Sequence, residues 1–192
     1  MTAADRDAEM LLRQRIGELF PDDAVLGEEF GELPGSSGYR WILDPIDGTK
    51  SFIAGVPLFG TMVAVEVDGS AIIGAVYLPG LDEGIYAARG RGAWHFSGDG
   101  KPTRAQVSQT ADLSDAIFVT SEVRTFDLRA SRSAYERLEA ACFVTRTWGD
   151  CYGYLLVATG RADVMVDPVM NVWDAAAVQP ILEEAGGTFT AQ

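Results

Sequence analysis

The spacing of apolar residues in the first half of the chain predicts one helix followed by several strands. Apolar side chains recur every three or four residues from Ala8 to Phe20, which gives a helix one apolar face. Thr2 and Asp5 form a capping-box pattern at its start. Asp68-Gly69 is a two-residue turn pattern that favours an antiparallel hairpin. A short apolar stretch covers 24–26, and the predicted strands of this half are 39–43, 61–67, 70–78, 84–88 and 92–96.

The second half alternates between strand and helix patterns, which is typical of an α/β layer. Its predicted strands are 116–120, 142–145 and 162–166, and its predicted helices are 127–141, 150–159 and 173–185. Pro180 lies inside the last helix and is expected to kink it. We therefore predict an α/β layered sandwich with a mainly antiparallel first sheet in residues 1–105 and an α/β lobe in residues 106–192.

Composition and charge narrow the function classes. The 192 residues carry 28 acidic and 15 basic side chains, and the net charge of −13 opposes nonspecific binding to nucleic acid or to an anionic membrane. No apolar run has the length of a membrane span. The N-terminus is polar and the two cysteines form no CxxC pair, so we expect a cytoplasmic protein with free thiols. A single histidine excludes mechanisms that need two.

The stretch from Asp44 to Thr49 has the strongest chemical content. A predicted strand delivers Asp44 and Asp47 at its carboxyl end, with Pro45 and Gly48 shaping the exit. Carboxylates are hard oxygen ligands that suit Mg²⁺. A helix starting after Thr49 would add free backbone amides for an anion. The alternative is a tight turn in which both aspartates cap backbone amides.

Two other acidic residues bear on this choice. Glu28 precedes the same strand and could return to its end. Asp174 lies at a probable helix start, where an ordinary N-cap is the alternative interpretation.

The ordered motifs resemble those of the inositol monophosphatase superfamily. The motifs are Gly27-Glu28-Glu29, Asp44-Pro45-Ile46-Asp47-Gly48-Thr49, Trp173-Asp174-Ala175-Ala176 and Glu184-Ala185-Gly186-Gly187. The resemblance implies that Mg²⁺ is bound by Glu28, Asp44, Asp47, Asp174 and the carbonyl of Ile46. It implies that the amides of Gly48 and Thr49 bind phosphate. Thr49 and Asp5 would orient and deprotonate the attacking water, and Glu28 is counted with these catalytic residues too.

Three further features resemble the histidinol-phosphate phosphatase branch of that superfamily. They are Lys50, the loop 55–61 and Gly149-Asp150-Cys151-Tyr152. Histidinol is cationic, so a carboxylate at Asp150 could pair with it. Asp167 stands at the superfamily's polar substrate position and could add a second acceptor. The alternative for both is a solvated aspartate at a helix start or strand end.

The resemblance implies Mg²⁺-dependent hydrolysis of a small phosphate ester, foremost L-histidinol phosphate in histidine biosynthesis. The same-class alternative is inositol 1-phosphate or another sugar phosphate. The alternative from another class is a non-catalytic paralogue that binds phosphate. Compared with the family pattern, the chain looks shortened at both ends. Core faces would then be exposed, and we expect a homodimer.

Overall fold

Two sheets and seven helices make up the part of the chain that the computed structural model describes, residues 2–190. The helices are α1 Ala3–Leu19, α2 Thr49–Ile53, α3 Arg124–Leu128, α4 Arg132–Ala141, α5 Asp150–Ala158, α6 Val172–Ala176 and α7 Val178–Glu184. The strands of the first sheet are β1 Ala24–Gly27, β2 Gly31–Leu33, β3 Tyr39–Asp47, β4 Gly60–Val67, β5 Ser70–Leu78, β6 Glu83–Ala88, β7 Gly92–Ser97 and β8 Thr103–Arg104. Those of the second are β9 Ile117–Val119, β10 Val144–Arg146 and β11 Val164–Met165.

The first sheet is mainly antiparallel. Its strand order is β2-β1-β3-β4-β5-β6-β7-β8, and β1 with β3 is the one parallel pair in this described sheet. The predicted hairpin joins β4 to β5, with Asp68 and Gly69 at φ 51° and 72°. Positive φ at both turn residues matches the right-handed twist of the flanking strands.

The second sheet is small and parallel, with the order β10-β9-β11. Its strands alternate with helices α3 to α5 along the chain. The predicted fold class, a mainly antiparallel sheet together with an α/β layer, is therefore confirmed.

Helices cover both faces of the first sheet, because successive residues of a strand point to opposite sides. Ile42 packs in a core that includes Leu155 of α5 and Ile181 of α7. The next residue, Leu43, packs with Ile16 of α1 on the other face. Helix α7 belongs to the second half of the chain but packs on the first sheet. The predicted division into two lobes near residue 105 therefore stays a prediction.

The structure differs from the predicted elements in two helices and two strands. The predicted helix 127–141 is two helices, because Ala130 adopts φ 51° between α3 and α4. The predicted helix 173–185 is interrupted at Ala177, in line with the kink expected from Pro180, which has no N–H to donate to the Ala176 carbonyl. The short edge strands β2 and β8 were not predicted, since three or two residues carry too little periodicity.

None of the helices among residues 2–190 is both long enough and apolar enough to cross a membrane.

Candidate active site

A β-bulge at the end of β3 directs the carboxylates of two aspartates to the same side of the sheet. Asp44 lies opposite Met62 of β4, and Asp47 lies opposite Gly60, so β3 has one extra residue here. In a regular strand, residues three apart face opposite sides of the sheet. The extra residue in the bulge puts the side chains of Asp44 and Asp47 on the same side instead. Pro45, which has no N–H for the ladder, lies inside the bulge.

A third carboxylate reaches the same place from the second half of the chain. Asp174 is the third residue of α6, and Asn171 is the N-cap. The backbone N–H of Asn171 donates to Asp174 Oδ2 at 2.6 Å, which forms a capping box. One carboxylate oxygen each of Asp44, Asp47 and Asp174 lie within 4.8 Å of one another. The structure therefore brings together three of the four carboxylates expected to hold metal.

Backbone capping accounts for only part of this arrangement. Asp47 accepts a hydrogen bond from the N–H of Cys151, and Asp44 accepts one from the N–H of Ile46. However, Asp44 is 2% exposed, and its Oδ1 is buried with no hydrogen-bond partner among the described residues. A buried carboxylate oxygen left without a partner is destabilising. A cation bound between the three carboxylates would satisfy it.

The electrostatics of the cluster also fit a hard cation. Burial is the largest cause that raises the pKa of Asp44, and the charges of Asp47 and Glu28 raise it further. Burial likewise raises the pKa of Asp47, followed by the charge of Asp150. The pKa of Asp174 is raised mainly by burial. A divalent metal ion would reverse this repulsion, and the all-oxygen donors are those that such ions prefer.

The two other expected ligands lie beside the cluster. Glu28 directly follows β1, and its backbone N–H donates to the carbonyl of Leu43 at 3.3 Å. Partial burial and then the charge of Asp174 raise the pKa of Glu28. Glu28 is nevertheless not among the three whose oxygens lie within 4.8 Å. The carbonyl of Ile46 accepts a bond from the Thr49 hydroxyl at 3.1 Å.

Thr49 and Asp5 form a hydroxyl–carboxylate pair. Thr49 Oγ1 is 3.5 Å from Asp5 Oδ1. Asp5 is 1% exposed and also completes the capping box of α1 with Thr2. Capping and contact with Thr49 are thus compatible for the same carboxylate. Such a pair can take a proton from a water molecule held against the hydroxyl.

Gly48 allows the chain to pass closely between β3 and α2. Its φ is 81°, in the left-handed region that disfavours side chains. A Cβ at this position would lie 2.9 Å from the carbonyl oxygen of Leu58 and 3.0 Å from Asp150 Oδ2. Helix α2 begins at Thr49 itself, and its first backbone amides have no partners within the helix.

A cleft of about 480 Å³ opens beside these groups. Asp47, Thr49, Asp150, Asp167 and Asp174 all line it, and Asp150 Oδ2 lies beside Gly48. Burial, followed by the charge of Asp167, raises the pKa of Asp150. The cleft therefore joins the carboxylate cluster to two further acidic side chains.

Asp167 is held by a set of donors that sequence reasoning did not find. Its oxygens accept bonds from the Ser121 N–H at 2.9 Å and the Ser121 hydroxyl at 2.7 Å. The hydroxyl of Tyr154 is 3.3 Å from Asp167 Oδ2. The Ser121 hydroxyl also accepts from the Asp150 N–H at 2.7 Å, so it connects the two aspartates. No local pattern links position 121 to positions 150 and 167.

The cleft mouth carries an ion pair that was also missed. Lys50 Nζ lies 2.6 Å from Glu122 Oε2, and the Lys50 side chain is 87% exposed. The pair connects α2 to the segment before α3. In the sequence, Lys50 is only one of the features that resemble the histidinol-phosphate phosphatase branch, and nothing marks Glu122 as its partner.

A comparison with protein families matches the whole chain. The model of the inositol monophosphatase family aligns with residues 1–192. The chain belongs to the inositol monophosphatase family. The resemblance predicted from the ordered motifs is thereby confirmed.

Several similar proteins refine this assignment. The histidinol-phosphatase of Chlorobaculum parvum is 49% identical over 187 residues, which cover 97% of this chain and 70% of that protein. The histidinol-phosphatase of Mycobacterium tuberculosis is 40% identical over 190 residues, covering 99% of this chain and 73% of that protein. The solved structure of Mycobacterium tuberculosis SuhB has a TM-score of 0.83 at 32% identity, covering 95% of this chain and 72% of that one. Family and relatives together assign the chain to the phosphatases that hydrolyse phosphate monoesters.

Proposed function

We propose that this protein is a Mg²⁺-dependent histidinol-phosphatase that converts L-histidinol phosphate and water to L-histidinol and phosphate, a step of histidine biosynthesis. The observation that carries the proposal is the shared cleft. Asp150 and Asp167 line the same cleft of about 480 Å³ as Asp47 and Asp174, two members of the carboxylate cluster. Two relatives named histidinol-phosphatase support this choice of substrate.

The metal site would be formed by oxygen donors alone. Asp44, Asp47 and Asp174 would hold Mg²⁺, with Glu28 and the carbonyl of Ile46 as further ligands. The unpartnered Oδ1 of Asp44 supports this assignment. Bound Mg²⁺ supplies positive charge that neutralises phosphate oxygens and lowers the pKa of a bound water.

The chain's own residues would position the water and the phosphate. The Thr49 hydroxyl would accept a hydrogen bond from the attacking water and turn its single proton from the Ile46 carbonyl, 3.1 Å away, to Asp5, 3.5 Å away. Asp5 would then hold the proton that the water loses. The backbone amides of Gly48 and Thr49 would donate to phosphate oxygens, because Gly48 has no side chain to block their approach. The water oxygen forms a bond to phosphorus as the ester P–O bond breaks. The leaving alkoxide takes a proton from solvent water in the cleft, and Asp5 afterwards returns its proton to solvent.

Asp150 and Asp167 would recognise the alcohol part of the substrate. Histidinol carries an ammonium group and an imidazole, and both can donate to carboxylates. Asp150 is the better candidate for direct contact, because Asp167 already accepts bonds from Ser121 and Tyr154. We therefore propose that Asp150 binds the cationic group and that Asp167 supports it through Ser121.

The test is a comparison of two substrates in two proteins. Phosphate release from histidinol phosphate and from inositol 1-phosphate is measured with Mg²⁺ and with EDTA. Asp150→Asn keeps the size of the side chain and tolerates the φ of 54° at this position. Charge-assisted hydrogen bonds contribute about 1.5–3 kcal/mol, so kcat/KM for histidinol phosphate should fall about 10–150-fold. The value for inositol 1-phosphate, whose alcohol part carries no charge, should hardly change.

The control cancels damage to the metal site, because both substrates use it. Equal losses on both substrates would make Asp150 structural and favour the sugar-phosphate alternative. Binding of phosphate without turnover of any ester would favour the non-catalytic alternative.

We also propose a cytoplasmic homodimer. Cys142 and Cys151 are free thiols, as expected in a reducing compartment. Large apolar side chains, among them Leu19, Leu128 and Phe143, are exposed and could be buried between two copies. Sedimentation velocity should give twice the mass of 20.6 kDa for the chain.

A further inference from the structure

A buried carboxylate on α1 holds the turn that carries Glu28. Glu9 lies on α1 and is 0% exposed. Glu9 Oε2 accepts from the N–H of Glu29 at 2.8 Å, and Oε1 accepts from the N–H of Phe30 at 3.3 Å. The Nε of Arg13 donates to the same Oε1 at 2.7 Å. Three donors therefore converge on one buried anion.

The main chain around Glu28 is consequently held on both sides. The N–H of Glu28 donates to the carbonyl of Leu43, and the next N–H, of Glu29, donates to Glu9. Gly27 leaves room for this contact, because a Cβ there would lie 2.1 Å from Glu9 Oε1. The approach of Glu9 is thus part of how β1 ends.

Two arginines of α1 extend the same contact. Arg13 also donates to the carbonyl of Gly31, and its side chain is 16% exposed. The guanidinium carbons of Arg6 and Arg13 lie 5.2 Å and 6.0 Å from the ring centroid of Phe30. One face of α1 therefore contacts the turn 28–31 through a carboxylate and two cations.

We infer that Glu9 is a positioning residue of the metal site. It orients the turn so that the carboxylate of Glu28 faces the Asp44–Asp47–Asp174 cluster. None of its hydrogen bonds reaches those aspartates, so it acts only through the turn. The inference rests on the proposed function, because it needs Glu28 as a metal ligand.

The decisive variant is Glu9→Gln, which keeps the volume of the buried side chain. A carboxylate accepts on both oxygens, whereas an amide accepts on only one. If the amide oxygen faces Phe30 and Arg13, the NH₂ group faces the N–H of Glu29, and two donors meet. The turn should shift, and Glu28 with it. Residues that orient metal ligands typically contribute about 10–100-fold to metal affinity.

The experiment titrates Mg²⁺ into the whole protein and follows its melting temperature. The Mg²⁺ concentration at half of the maximal thermal shift should rise about 10–100-fold in Glu9→Gln. Phosphate release at saturating Mg²⁺ should give a kcat close to that of the unaltered protein. Glu18→Gln is the matched control, because Glu18 lies on the same helix and pairs with exposed Arg15. Its titration should not change.

The outcomes separate this inference from the proposed function. If the unaltered protein releases phosphate equally with Mg²⁺ and with EDTA, the proposed function fails. If it requires Mg²⁺ but Glu9→Gln titrates as the unaltered protein does, only the inference fails. A lower kcat with an unchanged Mg²⁺ titration would overturn it as well. Should Glu9→Gln not fold, Arg13→Lys replaces it: the titration should shift in the same direction, and an unchanged one overturns the inference.

Discussion

Replacing Asp44 with asparagine should make the free energy of unfolding of the metal-free protein less dependent on pH. The oxygens of Asp44, Asp47 and Asp174 lie within 4.8 Å of one another. At this distance, and at an effective dielectric constant of about 20, two unit charges repel by about 3.5 kcal/mol. Asp44 faces two such neighbours and is buried as well. Without metal, the native state should therefore keep protons that the unfolded chain releases.

The sign of the pH dependence follows from this difference. An unfolded aspartate loses its proton near a pKa of about 3.9. Burial and neighbouring charges raise the pKa of Asp44 in the native state. Stability is therefore fully present below the unfolded pKa and is lost as pH rises toward the folded pKa. Each retained proton lowers the free energy of unfolding by about 1.4 kcal/mol per pH unit, and Asp44→Asn should remove at least one such contribution.

Urea unfolding in EDTA at pH values from about 5 to 7 measures the slope of the free energy of unfolding against pH. The tryptophan fluorescence of the four Trp residues can follow the transition. Asp68→Asn, in the exposed turn between β4 and β5, is the control and should leave the slope unchanged. In the unaltered protein, Mg²⁺ should weaken or reverse the fall of the free energy of unfolding with rising pH, because it favours ionised carboxylates. In Asp44→Asn, Mg²⁺ should not have this effect. Equal slopes in EDTA for Asp44→Asn and the unaltered protein would refute the reasoning.

Two further variants test the turn after β3. Thr49→Ala should lower kcat about 10²–10⁴-fold while the Mg²⁺-induced thermal shift is retained, and a loss below about tenfold would mean that the hydroxyl does not position the water. Gly48→Ala should lower the free energy of unfolding by about 1–2 kcal/mol through backbone strain alone, and by more through its contact with the Leu58 carbonyl. Gly55→Ala is the control, because Gly55 has a similar φ of 70° but open space around it. Urea unfolding of both variants gives the cost of the contact as the difference between their losses in free energy of unfolding. Equal losses would contradict a cost from the Leu58 contact.

Much of the local structure could be predicted from the sequence, because short-range geometry determines it. The capping box of Thr2 and Asp5, the Asp68-Gly69 turn and the strand before Asp44 need only neighbouring residues. The ordered acidic motifs also pointed to the right family. Pro180 signalled the break at Ala177, whereas the break at Ala130 was less accessible, since no proline or glycine marks it.

The site itself depended on the tertiary structure. Asp44 and Asp47 share a side only because β3 gains one residue against β4, and this register exists only once the strands pair. Glu9 and Glu29 are 20 positions apart, and Ser121 and Asp167 are 46 positions apart. Sequence determined which side chains could carry the chemistry, because donor type and local turn geometry are properties of single residues and short segments. The packing of α1, α5 and α6 around the end of β3 decided which of them meet, because a hydrogen bond needs its two atoms within about 3 Å.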